Sequence, residues 1–205
     1  MGLISLDQLA IANKADKASS HHVKGHNYAR HYDKLFSPFR LEPIKLLEIG
    51  VGGGESIRTW LDYFPNAKVV GADIVGNTNP WNTPDSGVHE RYRFIHGNQS
   101  DPNTWNCKIM AEWGGHLLNV CIDDGGHFSG DIISTFIMLW SSIDHGGIYC
   151  VEDTGVTYTT GTIFHTPGFP THSEWIKSTV EEANRGGSCI DSMHIFEELI
   201  AIVKQ

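Results

Sequence analysis

Two segments combine residue types that do chemistry at close spacing. Ile122-Asp123-Asp124-Gly125-Gly126-His127 and Val151-Glu152-Asp153 each close an apolar run, so their carboxylates fall at the ends of the strands those runs predict. Neighbouring parallel strands lie ~5 Å apart, which brings four acids and one histidine within reach of a single site. Crowded carboxylates repel one another and resist ionisation unless something positive lies among them. Hard oxygen donors of this kind suit Mg²⁺, Mn²⁺ or Ca²⁺, and a set without cysteine argues against zinc. His127 follows Asp124 on a glycine-flexible turn, so it can face the same cavity without being a ligand. Imidazole is the side chain most often used as a general base. The plainer alternative, solvated acids at loop starts with a histidine near a helix N-terminus, is disfavoured by the clustering.

A second constellation is Glu48-Ile49-Gly50-Val51-Gly52-Gly53-Gly54-Glu55-Ser56, where an apolar run turns into a helical pattern. Glycines there permit tight turning and let a ligand approach the main chain. The spacing is not G-x-G-x-x-G, because counting from Gly50 the last position falls on Glu55, and no G-x-x-x-x-G-K-[ST] is present. E-x-G-x-G-x-G is instead the spacing of S-adenosylmethionine (SAM) methyltransferases. Asp73 ends the next apolar run, where a carboxylate accepts both ribose hydroxyls of an adenosine, whether of SAM or of NAD. Gly97-Asn98-Gln99-Ser100-Asp101 would border the adenine, with Gln99 and Ser100 at its edge; a polar turn capping the next helix is the equal alternative.

The elements that position these residues alternate. Residues 45–49, 67–73, 92–96, 117–123 and 147–152 read as strands, apolar almost throughout, as in a parallel sheet covered on both faces. Helical patterns lie between them at 55–64, 102–113 and 131–142, and another follows at 173–185. The final run, His194 to Val203, reads as a β-hairpin. The fold expected is α/β: a Rossmann-like doubly wound sheet with a C-terminal hairpin, in a single domain. No internal repeat or linker divides the chain. Residues 1–40 are expected to form an N-terminal helical segment covering the cofactor site. Residues 41–205 are expected to form the binding domain, with an acceptor lid at about 154–172.

Composition narrows the function. Of 205 residues, 40% are hydrophobic and 19% charged, which suits one globular domain. Fifteen Lys and Arg against 24 Asp and Glu leave a net charge of −9, which disfavours binding to nucleic acid. The start lacks a basic region before an apolar run, and no stretch approaches the ~18 apolar residues of a membrane span. A soluble, cytoplasmic protein is expected, with homo-oligomerisation left open. Cys107, Cys121, Cys150 and Cys189 are far apart and suggest neither a disulfide framework nor zinc. His21, His22, His26 and His31 crowd the N-terminal segment and are assigned no metal.

Taken together, these motifs resemble the metal-dependent sugar O-methyltransferases of macrolide biosynthesis. The resemblance runs from about Asp16 to the C-terminus. Asp16-Lys17 with His26-Asn27-Tyr28 and Tyr32 is similar to that family's N-terminal signature, and Leu47 to Gly53 to its cofactor loop. Residues 97–101 are similar to its third-strand motif, residues 122–127 to its I-D-D-G-S-H, and Val151-Glu152-Asp153 to its acid pair. The resemblance implies a SAM site from Tyr28, Glu48, Gly50, Gly52, Gly54, Ser56, Asp73, Gln99, Ser100 and Asp123. It further implies Mg²⁺ (or Mn²⁺) at Asp124, Glu152 and Asp153, and His127 taking a proton from a sugar hydroxyl. Gly126 stands where the family has serine, and the extra N-terminal domain of some members has no counterpart here. Both departures weaken the acceptor assignment most: a small-molecule sugar diol is expected, a catechol is the alternative, and Trp81, Tyr158 and Trp175 are candidates for its pocket. Two rival readings are a NAD-dependent oxidoreductase, disfavoured by the glycine spacing and the hairpin, and a SAM-binding protein without methyl transfer, disfavoured by the intact acid and histidine set.

Overall fold

Short apolar runs flanked by glycine and polar turns fold into strands, here β1 (Lys45–Ile49), β2 (Lys68–Asp73), β3 (Tyr92–His96), β4 (Leu118–Asp123), β5 (Ile143–Glu152), β6 (Ile190–Ile195) and β7 (Leu199–Lys204). The computed structural model describes residues 3–20, 25–76, 89–106, 117–159, 163–185 and 189–205. The strands form one sheet in the order β3-β2-β1-β4-β5-β7-β6. β1 to β5 are mutually parallel, and β7 pairs antiparallel with both β5 and β6. The expected C-terminal hairpin is therefore present, its second strand inserted between β5 and its first.

The helices are α1 (Leu6–Asn13), α2 (Ala29–Phe36), α3 (Glu55–Tyr63), α4 (Pro102–Asn106), α5 (Ser129–Leu139), α6 (Val156–Thr159) and α7 (His172–Asn184). Helix α5 starts before the expected Asp131, at Ser129, and gives way to a 3₁₀ turn at Trp140–Ser142. Ser5 with Gln8 and Thr171 with Glu174 form capping boxes that start α1 and α7, satisfying first-turn N–H groups that no helix can pair internally. The second half of the helix expected at 102–113 lies outside the described residues, as do Cys107 and Trp81.

Strand alternation divides the core into two layers. In β1, Leu46 faces the layer of α1, α2 and α3, while Leu47 and Ile49 face that of α5 and α7. The first layer is aromatic: Tyr32 stacks on Phe36 at 4.8 Å, and both meet Trp60 edge-on at 5.6 and 6.0 Å. Full burial of such side chains contributes ~2–3 kcal/mol each and locks the N-terminal segment onto the sheet. Between β1 and β4 the strand order reverses, and the crevice at that reversal, beyond the strands' C-terminal ends, is where open α/β sheets bind ligands.

Candidate active site

The glycine loop is built by contact with the neighbouring turn. Gly50 has φ +82°, and a Cβ there would lie 1.9 Å from the Asp124 carbonyl oxygen, so no side chain fits. The loop amides of Val51 and Gly52 donate to Asp73 Oδ2 at 2.9 and 3.3 Å, and Val75 N donates to Oδ1 at 2.8 Å. Asp73 thus fixes the loop and faces the crevice at once.

A cavity of about 770 Å³ opens here, within the range of small-molecule sites. Among the expected cofactor residues, Gly50, Gly52, Ser56, Asp73 and Gln99 line it. Glu48, Gly54, Ser100, Asp123 and Tyr28 are not lining residues and instead support the site. Glu48 is fully buried and accepts from Ser56 Oγ at 2.7 Å; burial pushes its carboxyl up to about 7. Asp123 accepts from Tyr149 and from Gln99 Nε2, each at 3.0 Å, and burial pushes it up to about 6. Ser100 Oγ donates to Asp131, a cavity-lining residue that the sequence offered only as a helix start.

The acids of β4 and β5 do converge, around a cation that the sequence reading placed only in a signature. Lys17 Nζ donates to Asp124 Oδ2 at 2.7 Å and Glu152 Oε2 at 2.9 Å, and lies 3.6 Å from Glu48 Oε1. Burial alone would lower the ammonium's pKa, but Asp124, Glu152 and Glu48 hold it well above its ordinary value. Burial raises Asp124 and Glu152, and Lys17 opposes that rise in both. Glu152 is only 2% exposed, and its second oxygen accepts from Tyr32 at 2.6 Å.

Asp153 and His127 face the open side. Tyr28 donates to Asp153 Oδ1 at 2.7 Å, and burial with that bond holds the phenol's pKa far above its usual range. His127 Nε2 lies 3.6 Å from Asp153 Oδ2 and 4.0 Å from Asp124 Oδ1. One ligand atom each from Asp124, His127 and Asp153 falls within 4.8 Å of the others, and the same holds for His26, Asp153 and Glu198. Two carboxylates with an imidazole are a donor set that fits a hard divalent cation. Among the described residues, the non-glycine positions with positive φ are Lys14, Asn27, His127, Asp153 and Glu198. Each lines the cavity, belongs to the acid cluster or adjoins Tyr28. Left-handed backbone of this kind is costly and gathers at functional sites.

The expected lid is pinned at its middle. Ser129 N donates to the Phe164 carbonyl at 2.8 Å, and Thr166 N to Ser129 Oγ at 3.0 Å. Phe164 packs against Phe128 at 5.3 Å and edge-on to His127 at 6.5 Å. Tyr158 is exposed, whereas Trp175 is buried against Phe136 in the core.

No protein-family model matches the chain. It is 32% identical over 144 residues to mycinamicin VI 2''-O-methyltransferase of Micromonospora griseorubida, covering 66% of this chain and 33% of that protein. It is 29% identical over 175 residues to demethylmacrocin O-methyltransferase of Streptomyces fradiae, covering 82% and 40% respectively. The solved MycE methyltransferase from the mycinamycin biosynthetic pathway, in complex with Mg, SAH and mycinamycin VI, superposes with a TM-score of 0.81 at 25% identity. That match covers 98% of this chain and 54% of the other. The fold is the Rossmann-like fold of class I SAM-dependent methyltransferases. Within that class, sequence and structure are similar to the sugar O-methyltransferases just named, of whose length the chain spans 33% and 40%.

Proposed function

We propose that this chain is an O-methyltransferase that moves the methyl group of SAM to a hydroxyl of a small molecule, with a natural-product sugar as the acceptor class. The observation that carries the reading is the juxtaposition at one sheet edge of a 770 Å³ cavity, rimmed by the glycine loop and Asp73, with the Asp124, His127 and Asp153 cluster. Asp124, Glu152 and Asp153 are the residues proposed to hold Mg²⁺ or Mn²⁺; both Glu152 oxygens are engaged, by Lys17 and by Tyr32, so its share requires Lys17 to give up Oε2. When bound, SAM supplies an electrophilic sulfonium methyl and the cation a positive charge beside the acceptor oxygen.

The chain's own residues supply the rest. His127 takes the proton of the acceptor hydroxyl at Nε2, with the carboxylate of Asp153 3.6 Å from that nitrogen. Tyr28 donates to Asp153, which stands in a left-handed conformation, and Lys17 opposes the burial that favours the protonated forms of Asp124 and Glu152. The remaining acceleration comes from aligning the two reactants, with the donor held against the glycine loop and the acceptor under the segment at 154–172. Lys14, Asp16 and Lys17 line the cavity, which supports the reading that the N-terminal segment covers the donor.

The test is transfer of labelled methyl from SAM to a panel of sugar diols and catechols, with and without Mg²⁺. Metal-dependent labelling of a sugar hydroxyl is expected, and labelling of catechols alone would replace the acceptor class. His127→Ala should cost about 10²- to 10⁴-fold in rate at unchanged affinity for S-adenosylhomocysteine (SAH) and metal. Asp153→Asn should instead weaken metal binding and be partly rescued by high Mg²⁺. Full activity after chelation would reduce the acids to a structural role, and loss of metal by His127→Ala would make the histidine a ligand.

A further inference from the structure

If the cavity takes SAM, something in it must recognise the adenine 6-amino group, which is a hydrogen-bond donor and calls for an acceptor. The two side chains suggested by the sequence are already committed. Gln99 donates from Nε2 to Asp123 and Thr135 at 3.0 and 3.1 Å, and its Oε1 accepts from Gly126 N at 2.7 Å. The Ser100 hydroxyl spends its proton on Asp131 Oδ1.

Asp131 itself is different. It lines the cavity together with Asn98 and Gln99 of the turn after β3 and Trp105 of α4, while Asp73 occupies the end of adjacent β2. An adenosine whose ribose sits on Asp73 extends its base toward that turn. Ser100 anchors one carboxylate oxygen, and among the described residues no donor is placed on Oδ2. The space for that oxygen comes from Gly126: a Cβ there would lie 2.6 Å from Asp131 Oδ2. A side chain at position 126 would push that oxygen aside, so Gly126 and the position of Asp131 belong together.

We propose that Asp131 is the residue of this chain that reads the adenine amino group, accepting its N–H at Oδ2, with Ser100 and Gly126 as positioning residues. The inference rests on the SAM reading and adds a base-specificity determinant to it. Asp131 also stands in the first turn of α5, where an acid favours the helix dipole, so the test must separate recognition from folding.

The experiment is calorimetric titration of the whole chain with SAH and with the analogue that carries hydrogen in place of the 6-amino group. The wild type should bind the analogue about 10- to 100-fold more weakly, because a site built around a donor rejects the compound lacking it. Asp131→Asn keeps an oxygen for Ser100 and turns an N–H toward the base, so its preference for SAH should fall to within about threefold. Gly126→Ala, which leaves Asp131 in place but displaces its carboxylate, should do the same at near-normal thermal stability. Equal binding of the two compounds by wild type, or full discrimination retained by Asp131→Asn, overturns the assignment of Asp131 while leaving the SAM reading intact. Failure of wild type to bind SAH at all would overturn both.

Discussion

Replacing Lys17 with methionine keeps the apolar stem and removes the ammonium among two buried carboxylates, Glu48 and Glu152, and the half-buried Asp124. Lys17 is 2% exposed, and its bonds to Asp124 and Glu152 are 2.7 and 2.9 Å long. Breaking a buried pair by deleting one partner costs about 3–5 kcal/mol, because the remaining charge is left uncompensated. For a chain of this size each kcal/mol lowers the melting temperature by ~2–4 °C, so Lys17→Met should lower it by roughly 6–20 °C at pH 8. The pairing is present where the carboxylates are ionised and lost as pH falls through their raised pKa values. In the variant, proton uptake by Asp124 and Glu152 relieves the uncompensated charge, so the deficit should shrink by pH 5.5. Adding Glu152→Gln, which retains an oxygen for Tyr32, should recover part of the loss, a coupling that a double-mutant cycle measures. Scanning calorimetry in chelator across this pH range is the assay. A drop below ~2 °C at pH 8, or a deficit that grows as pH falls, would refute the counter-ion role assigned to Lys17.

Glu48 and Asp123 give the wild type its own pH dependence. Their folded pKa values, about 7 and about 6, exceed the ordinary 4.5 and 3.8, so the folded state binds more protons between. Their contribution is full below about pH 4 and is lost as pH rises through 6 to 7, by at most ~3 kcal/mol each. Denaturant titrations should show that fall, and Glu48→Gln should flatten it. Asp73→Ala removes the acceptor of three backbone amides and the proposed ribose ligand; SAH affinity should fall about 10- to 100-fold by calorimetry, and NAD should bind neither form. Gly50→Ala should abolish SAH binding, since its Cβ has no space beside the Asp124 carbonyl, and near-normal binding would show that the loop can relax. Scrambling residues 154–171 should abolish acceptor turnover while leaving SAH affinity within a few-fold; an equal loss of both would show that donor and acceptor sites are not separable.

The strands were legible because their signal is local: apolar runs such as 45–49 and 118–123 end in glycines and acids, and a parallel sheet buried on both faces needs just such runs. The glycine loop and Asp73 were legible for the same reason, since a strand-to-helix turn constrains residues next to one another. Gln99 shows what local reading leaves out. Its type suggested a base contact and it does line the cavity, but only the fold shows its amide bonded to Asp123, Thr135 and Gly126.

The sequence by itself determined which residues stand at the ends of β1, β2, β4 and β5, because hydrophobic periodicity and turn chemistry act over a few residues. Only the tertiary structure decided what stands among the acids. Lys17 reaches Asp124 and Glu152 across 107 and 135 positions, and Tyr28 reaches Asp153 across 125. It also decided that β7 enters the sheet beside β5, bringing the Glu198 carbonyl to Tyr28. Such contacts follow from how an aromatic N-terminal layer docks on the sheet. Docking is driven by non-directional burial of apolar surface, and that leaves no periodic trace at the polar positions it brings together.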